Sequence, residues 1–167
     1  MQNGYDIYMK KILFVCTGNI CRSPTAEGVL RQRLIAHGLD GKLMVDSAGT
    51  QAFHEGESPD IRSVSAAKKR GIRIDGLRAR KVMHDDFLEF DIILGLDWGH
   101  VQQLRKMAPK NALAHIDLFL DYAGSKGEKE VPDPYYGGSQ DFEYVLDLIE
   151  TGVENLLQKL NSDSQVH

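Results

Sequence analysis

Cys16 and Arg22 stand six positions apart in the run Cys16-Thr17-Gly18-Asn19-Ile20-Cys21-Arg22-Ser23-Pro24, and their residue types point to a specific chemistry. A thiolate is a strong nucleophile, and a planar guanidinium can bind two oxygens of a phosphate at once. A free thiol titrates near pH ~8.5, so positive partners gathered around it raise the reactive fraction at neutral pH. The same partners hold the non-bridging oxygens of a phosphate and stabilise charge that develops in the transition state. Taken alone, a cysteine and an arginine at this spacing form a weak pattern, usually a buried cysteine beside a surface arginine.

The flanking elements make the pattern specific. Lys11-Ile12-Leu13-Phe14-Val15 is an apolar run of strand length. Beyond Pro24, the residues Ala26, Val29, Leu30 and Leu34 recur at helical spacing until Gly38. Pro24 suits a first helical position, and Ser23 before it reads as an N-cap. The loop therefore joins a strand end to a helix start, where free backbone N–H groups face an anion. Gly18 and Asn19 are the residue types that most readily take positive φ. Together these features predict a phosphate-binding loop with a nucleophile at its base.

The rest of the chain alternates strands and helices. Strands are expected at 43–45 and 90–94, with a weaker one at 113–118. Helices are expected from Ser58-Pro59 to Gly71, over 98–107 and over 141–160, with 46–50 as a loop. Phe142, Val145, Leu146, Ile149, Val153, Leu156 and Leu157 form the apolar face of the last helix. The pattern predicts an α/β single domain: a four-stranded parallel sheet with helices on both faces and the phosphate-binding loop after the first strand. Ligands of such sheets bind at the carboxyl ends of strands, where Cys16 stands. Residues 10–167 are read as this domain, and residues 1–9 as a flexible extension without a secretory pattern.

Composition narrows the partners. A net charge of −4 over 167 residues argues against general nucleic-acid binding. No apolar run is long enough to cross a bilayer, so no membrane association is expected. Two cysteines without a secretory pattern suggest a reducing, cytoplasmic setting. His37, His54, His84, His100, His115 and His167 lack metal-ligand spacing, and no metal or other cofactor is expected. Lys68, Lys69, Arg70, Arg73, Arg78, Arg80 and Lys81 form a basic stretch that reads first as a solvated face, with an acidic protein substrate as the alternative.

The loop run, with Asp46-Ser47-Ala48-Gly49-Thr50 and Asp133-Pro134-Tyr135-Tyr136-Gly137, strongly resembles the low-molecular-weight protein tyrosine phosphatases. The resemblance extends from about Lys10 to Leu160, with the three motifs in the family's order. It implies that Cys16 attacks phosphorus to form a phosphocysteine, while Arg22 and the backbone of Thr17, Gly18, Asn19, Ile20, Cys21 and Arg22 bind the phosphate. It further implies that Ser23 hydrogen-bonds the Cys16 sulfur and that Asn19 holds the loop in shape. Asp133 would serve as general acid for the departing phenol and then as base for water. Without the resemblance, Asp133 reads as an ordinary Asp-Pro turn.

Tyr135 and Tyr136 could wall a slot for an aromatic ring, with Phe53 opposite, where the family often has a tryptophan; core or surface packing is the alternative. Cys21 could pair with Cys16 in a protective disulfide, as the family uses the equivalent residue, or could simply fill buried space. The family often carries a histidine in segment 76–81 that helps fix the loop, and Leu77 stands there instead. Thr17 replaces a bulky apolar residue of many eukaryotic members, which opens one side of the slot.

The implied substrate is a phosphotyrosine protein, tyrosine kinases included, for a monomer or weak dimer. Protein arginine phosphatases share the scaffold, but they tend to carry threonine at the position of Ile20 and lack the paired tyrosines. An arsenate reductase needs a further cysteine pair downstream, and none follows Cys21. A non-catalytic phosphopeptide-binding module would be expected to have lost Cys16, Arg22 or Asp133, and all three are present.

Overall fold

The computed structural model describes residues 10–165, so the expected extension over 1–9 lies outside the described residues. Strand β1 (Lys10–Cys16) runs through the middle of the molecule, with Ile12, Leu13, Phe14 and Val15 completely buried. Successive side chains of a strand face opposite ways. Ile12, Phe14 and Cys16 accordingly enter one core, and Leu13 and Val15 enter a second, smaller one. A strand covered on both faces is what a parallel sheet requires of its interior members.

After β1 come α1 (Arg22–Ala36), β2 (Leu43–Gly49), α2 (Ile61–Lys69), α3 (Asp86–Glu89) and β3 (Ile92–Gly95). They are followed by α4 (Trp98–Met107), β4 (His115–Leu118), α5 (Phe119–Tyr122) and α6 (Ser139–Gln165). The four strands pair in parallel in the order β2-β1-β3-β4. Helices α1, α2 and α6 cover the larger core, where Phe14 meets Phe119 edge to face at 5.2 Å. Phe87 of α3 and Leu104 of α4 close the smaller one. The α/β fold expected from the alternation is the fold observed.

This strand order places the site. The chain leaves β1 toward β2 on one side and later returns to β3 on the other, so the connections after β1 and β3 diverge. The resulting crevice at the carboxyl ends is where such sheets bind ligands.

Several boundaries differ from the sequence reading. The segment 46–50, expected as a loop, is mostly strand, because Asp46, Ser47, Ala48 and Gly49 pair in register with Leu13, Phe14, Val15 and Cys16. Pairing with a central strand overrides the low strand propensity of these residues. Helix α2 starts at Ile61 instead of at Ser58-Pro59, because the Asp60 carboxylate accepts the Arg62 N–H at 2.8 Å and caps it. Ser23 is not an N-cap: α1 already begins at Arg22. Pro24 takes the third helical position, where an N–H would also lack an intrahelical partner. Three members of the basic stretch are paired, Arg70 to Glu143, Asp147 and Glu150, Arg73 to Asp75, and Arg80 to Asp46 and Asp86. No described helix is long and apolar enough to cross a membrane.

Candidate active site

β1 delivers Cys16 to the crevice, and α1 begins six residues later at Arg22. The intervening loop turns at Asn19, whose φ of 57° lies in the left-handed region. Asparagine tolerates this conformation better than other side-chain-bearing residues. Gly18, expected to share it, does not have positive φ. A Cβ there would approach His54 Cδ2 to 2.9 Å, so that rim imidazole would have to shift.

A chain of buried hydrogen bonds supports the loop from behind. Asn19 Nδ2 donates to Ser23 Oγ at 2.7 Å and to Ser47 Oγ at 3.0 Å. Ser47 Oγ in turn donates to Glu27 Oε1 at 2.7 Å. Asn19 Oδ1 accepts the backbone N–H of Arg80 at 3.0 Å. Ser23 Oγ lies 3.0 Å from Cys16 Sγ, and the Ser23 backbone N–H donates to the same sulfur at 3.4 Å. Burial pushes the Glu27 carboxyl above its ordinary range, against the opposing hydrogen bonds from Ser47 and Arg31. Leu77, which replaces the expected histidine, packs on the larger core. Ser47, Glu27 and the Arg80 backbone provide support for Asn19.

Arg22 is almost fully buried and held from two directions. Its Nη1 donates to Asp97 Oδ2 at 2.8 Å and to the Val131 carbonyl at 3.0 Å. Its Nη2 lies 3.8 Å from Asp133 Oδ2. Asp97 caps α4 with its other carboxylate oxygen, which accepts the His100 N–H at 3.0 Å. The Asp97 N–H donates back to His100 Nδ1 at 3.1 Å. Burial opposes ionisation of Asp97, but the Arg22 guanidinium and the His100 backbone N–H outweigh it and hold its carboxyl below the usual range. Burial and Arg22 push the His100 imidazole down to about 4. Both residues follow β3, so their position after a strand end was a usable sequence signal. Ser47 stood in the motif Asp46-Ser47-Ala48-Gly49-Thr50 without an assigned role, and Glu27 gave no signal.

In front of the loop lies a cavity of about 270 Å³. Cys16, Arg22, Asp133, Thr17, Gly18, Ile20 and Cys21 line it, as do Phe53, His54, Tyr135 and Tyr136. The fold thus brings the expected cysteine, arginine, aspartate and aromatic residues to one place. Asn19 and Ser23 stand behind the loop instead, at 2% and 0% exposure. Tyr135 and Tyr136 meet edge to face at 4.9 Å, and the Arg62 guanidinium lies 5.4 Å from the Tyr135 ring centre. Phe53 and Tyr136 are 76% and 93% exposed, which makes them rim and not core. His54 also reaches the rim, with Nδ1 2.7 Å from Glu57 Oε2. Cys21 is a free, buried thiol, pushed up to about 12 by burial and by Asp60. Among the described residues, no group of three or more His, Cys, Asp or Glu side chains could hold a metal ion.

This arrangement matches known proteins across the chain. The family model for low molecular weight phosphotyrosine protein phosphatase matches residues 11–166. The low molecular weight protein-tyrosine-phosphatase YfkJ of Bacillus subtilis is 41% identical over 95% of this chain and 100% of its own. A crystal structure of a protein tyrosine phosphatase from Entamoeba histolytica superposes with a TM-score of 0.87 at 40% identity, covering 92% of this chain and 98% of that one. The structure of a Drosophila arginine phosphatase gives a TM-score of 0.84 at 31% identity, covering 89% of this chain and 96% of that one. With one family model spanning the fold and the crevice loop alike, the chain belongs to the low molecular weight phosphotyrosine protein phosphatase family.

Proposed function

We propose that this protein hydrolyses phosphotyrosine in protein substrates through a phosphocysteine intermediate. The observation that carries the reading is the single cavity lined by Cys16, Arg22 and Asp133 with aromatic side chains at its rim. Cys16 attacks phosphorus as the thiolate, forming an S–P bond as the P–O bond to tyrosine breaks. The Asp133 carboxyl gives its proton to the departing phenolic oxygen, whose ordinary pKa is near ~10. Water then attacks the phosphocysteine, and the Asp133 carboxylate takes its proton. The S–P bond breaks, releasing inorganic phosphate and the Cys16 thiolate. Arg22 and the loop N–H groups hold the phosphoryl oxygens throughout, and need little rearrangement because Asp97 and Val131 already fix the guanidinium.

Ser23 supports Cys16 as nucleophile and leaving group from 3.0 Å. Cys21 is the partner for a reversible disulfide with Cys16, in keeping with both thiols being free and in one loop. A reducing cytoplasm is the setting that suits them, with phosphotyrosine proteins, tyrosine kinases among them, as substrates of a monomer or weak dimer.

Similarity to the Drosophila arginine phosphatase supports phosphoarginine as a second reading. Hydrolysis of phosphotyrosine and phosphoarginine peptides, compared in reducing buffer with a chelator, separates the two. Preferential phosphotyrosine cleavage is expected from the slot built by Tyr135, Tyr136 and Phe53. Preference for phosphoarginine would overturn the assigned substrate and leave the cysteine chemistry standing.

A further inference from the structure

His100 is a buried histidine whose two ring nitrogens are both engaged, and it sits beside the loop without lining the cavity. Nδ1 accepts the backbone N–H of Asp97 at 3.1 Å. A backbone amide can only donate, so this capping bond requires a bare Nδ1, and it competes with the Asp97 carboxylate, whose Oδ1 lies 3.2 Å from the same nitrogen. The ring is then the Nε2–H tautomer or it is not satisfied. Nε2 faces Thr17 Oγ1 at 2.9 Å and Arg22 Nη2 at 3.5 Å. Arg22 has no acceptor to offer, so the Nε2 proton goes to the Thr17 hydroxyl.

That assignment has a consequence for Thr17, which is exposed and lines the cavity. With an Oγ1 lone pair filled by His100, the hydroxyl hydrogen is turned away from the ring and toward the cavity. We propose that His100 is a positioning residue: it holds Thr17 as a hydrogen-bond donor to an oxygen of the bound phosphate, adding a side-chain donor to those of Arg22 and the loop backbone. The inference rests on the phosphatase reading of the cavity. Protonation at Nδ1 is favoured by the Asp97 carboxylate, whose Oδ1 lies 3.2 Å away, and opposed by two features of the site. It would break the α4 cap and place a second cation beside Arg22, with Asp97 and Asp133 as the only opposing charges.

The test is a double-mutant cycle on the full chain, measuring kcat/KM for a phosphotyrosine peptide. T17V is expected to lower kcat/KM ~10-fold in the wild-type background, the size of a hydrogen bond to a charged group. In the H100Q background the same substitution is expected to cost less than ~2-fold, because the hydroxyl is no longer oriented. T17S, which keeps the hydroxyl, is expected to stay within ~2-fold of wild type. An equal cost of T17V in both backgrounds, or no cost in either, overturns the proposal. If H100Q does not fold, nitrogen NMR of the wild-type ring at neutral pH decides: protonated Nε2 with bare Nδ1 supports the proposal, and protonated Nδ1 overturns it. A wild type inactive on phosphotyrosine refutes the assigned function instead, and the cycle is then read in the Kd for inorganic phosphate with the same two outcomes.

Discussion

The back and the rim of the crevice loop are built in opposite ways. Behind the loop, Asn19, Ser23, Ser47 and Glu27 are at most 4% exposed and joined by four short hydrogen bonds from Glu27 to the Cys16 sulfur. At the rim, Phe53 and Tyr136 are mostly in solvent, and Tyr136 meets Tyr135 edge to face. A fully satisfied buried network fixes one geometry. Exposed aromatic rings offer contact area at little cost in side-chain entropy and tolerate change. On the proposed function, this difference gives chemistry to the rigid side and substrate choice to the adaptable one.

Substitutions on the two sides should therefore fail differently. The largest effect is expected from Asp133→Asn, which sits between them: kcat on a phosphotyrosine peptide falls ~10²–10⁴-fold through loss of the proton donor. The loss should shrink for an aryl phosphate whose phenol is a much stronger acid, and an equal loss for both would break the assignment.

Ser47→Ala attacks the back directly, taking one hydrogen bond from the Asn19 amide and the Oε1 donor from Glu27, which keep Ser23 and Arg31 respectively. It is expected to destabilise the fold by about 1–3 kcal/mol in urea titration and to lower kcat as well. A neutral result would show that the network is not what holds the loop.

His100 contributes a pH signature on the same side. Its folded pKa is depressed from an ordinary 6.5 to about 4, so the unfolded chain binds the proton first as the solution is acidified. Stability is thus expected to fall as pH drops from 6.5 toward 4, with no contribution from this ring above that window. The raised Glu27 carboxyl pulls the other way near the lower end. Comparing the wild type with His100→Asn isolates the imidazole, and parallel pH profiles for the two would contradict the assignment.

The smallest effect on folding is expected at the rim. Tyr136→Ala should change stability by less than about 0.5 kcal/mol, while KM for a phosphotyrosine peptide rises about 2–10-fold, the range of an aromatic contact. A folding defect as large as that of Ser47→Ala would erase the contrast.

The sequence made the loop legible, with Asn19 and Ser23 included through the family motif, and hid the supports that other elements bring to it. Cys16, Arg22 and the loop between them are local in sequence, flanked by a strand run and a helix run that read directly. Asp133, Tyr135 and Tyr136 became candidates through the family motif, because a lone Asp-Pro reads as a turn. Asp97 and His100 reach the loop across 75 and 83 positions, and Ser47 reaches Asn19 across 28. No local pattern encodes those contacts. The same holds for β2, whose polar end is a strand only because β1 lies beside it.

The central claim, that Cys16 carries the phosphoryl group, is open to direct capture. An aryl phosphate with a strongly acidic phenol, whose departure needs no proton donor, would be mixed with the Asp133→Ala variant, quenched rapidly and mapped by mass spectrometry. The account predicts phosphate on the peptide containing Cys16, linked through sulfur and absent when Cys16 is replaced by serine. Turnover with no phosphoenzyme, or phosphate mapped to a residue other than Cys16, would contradict it.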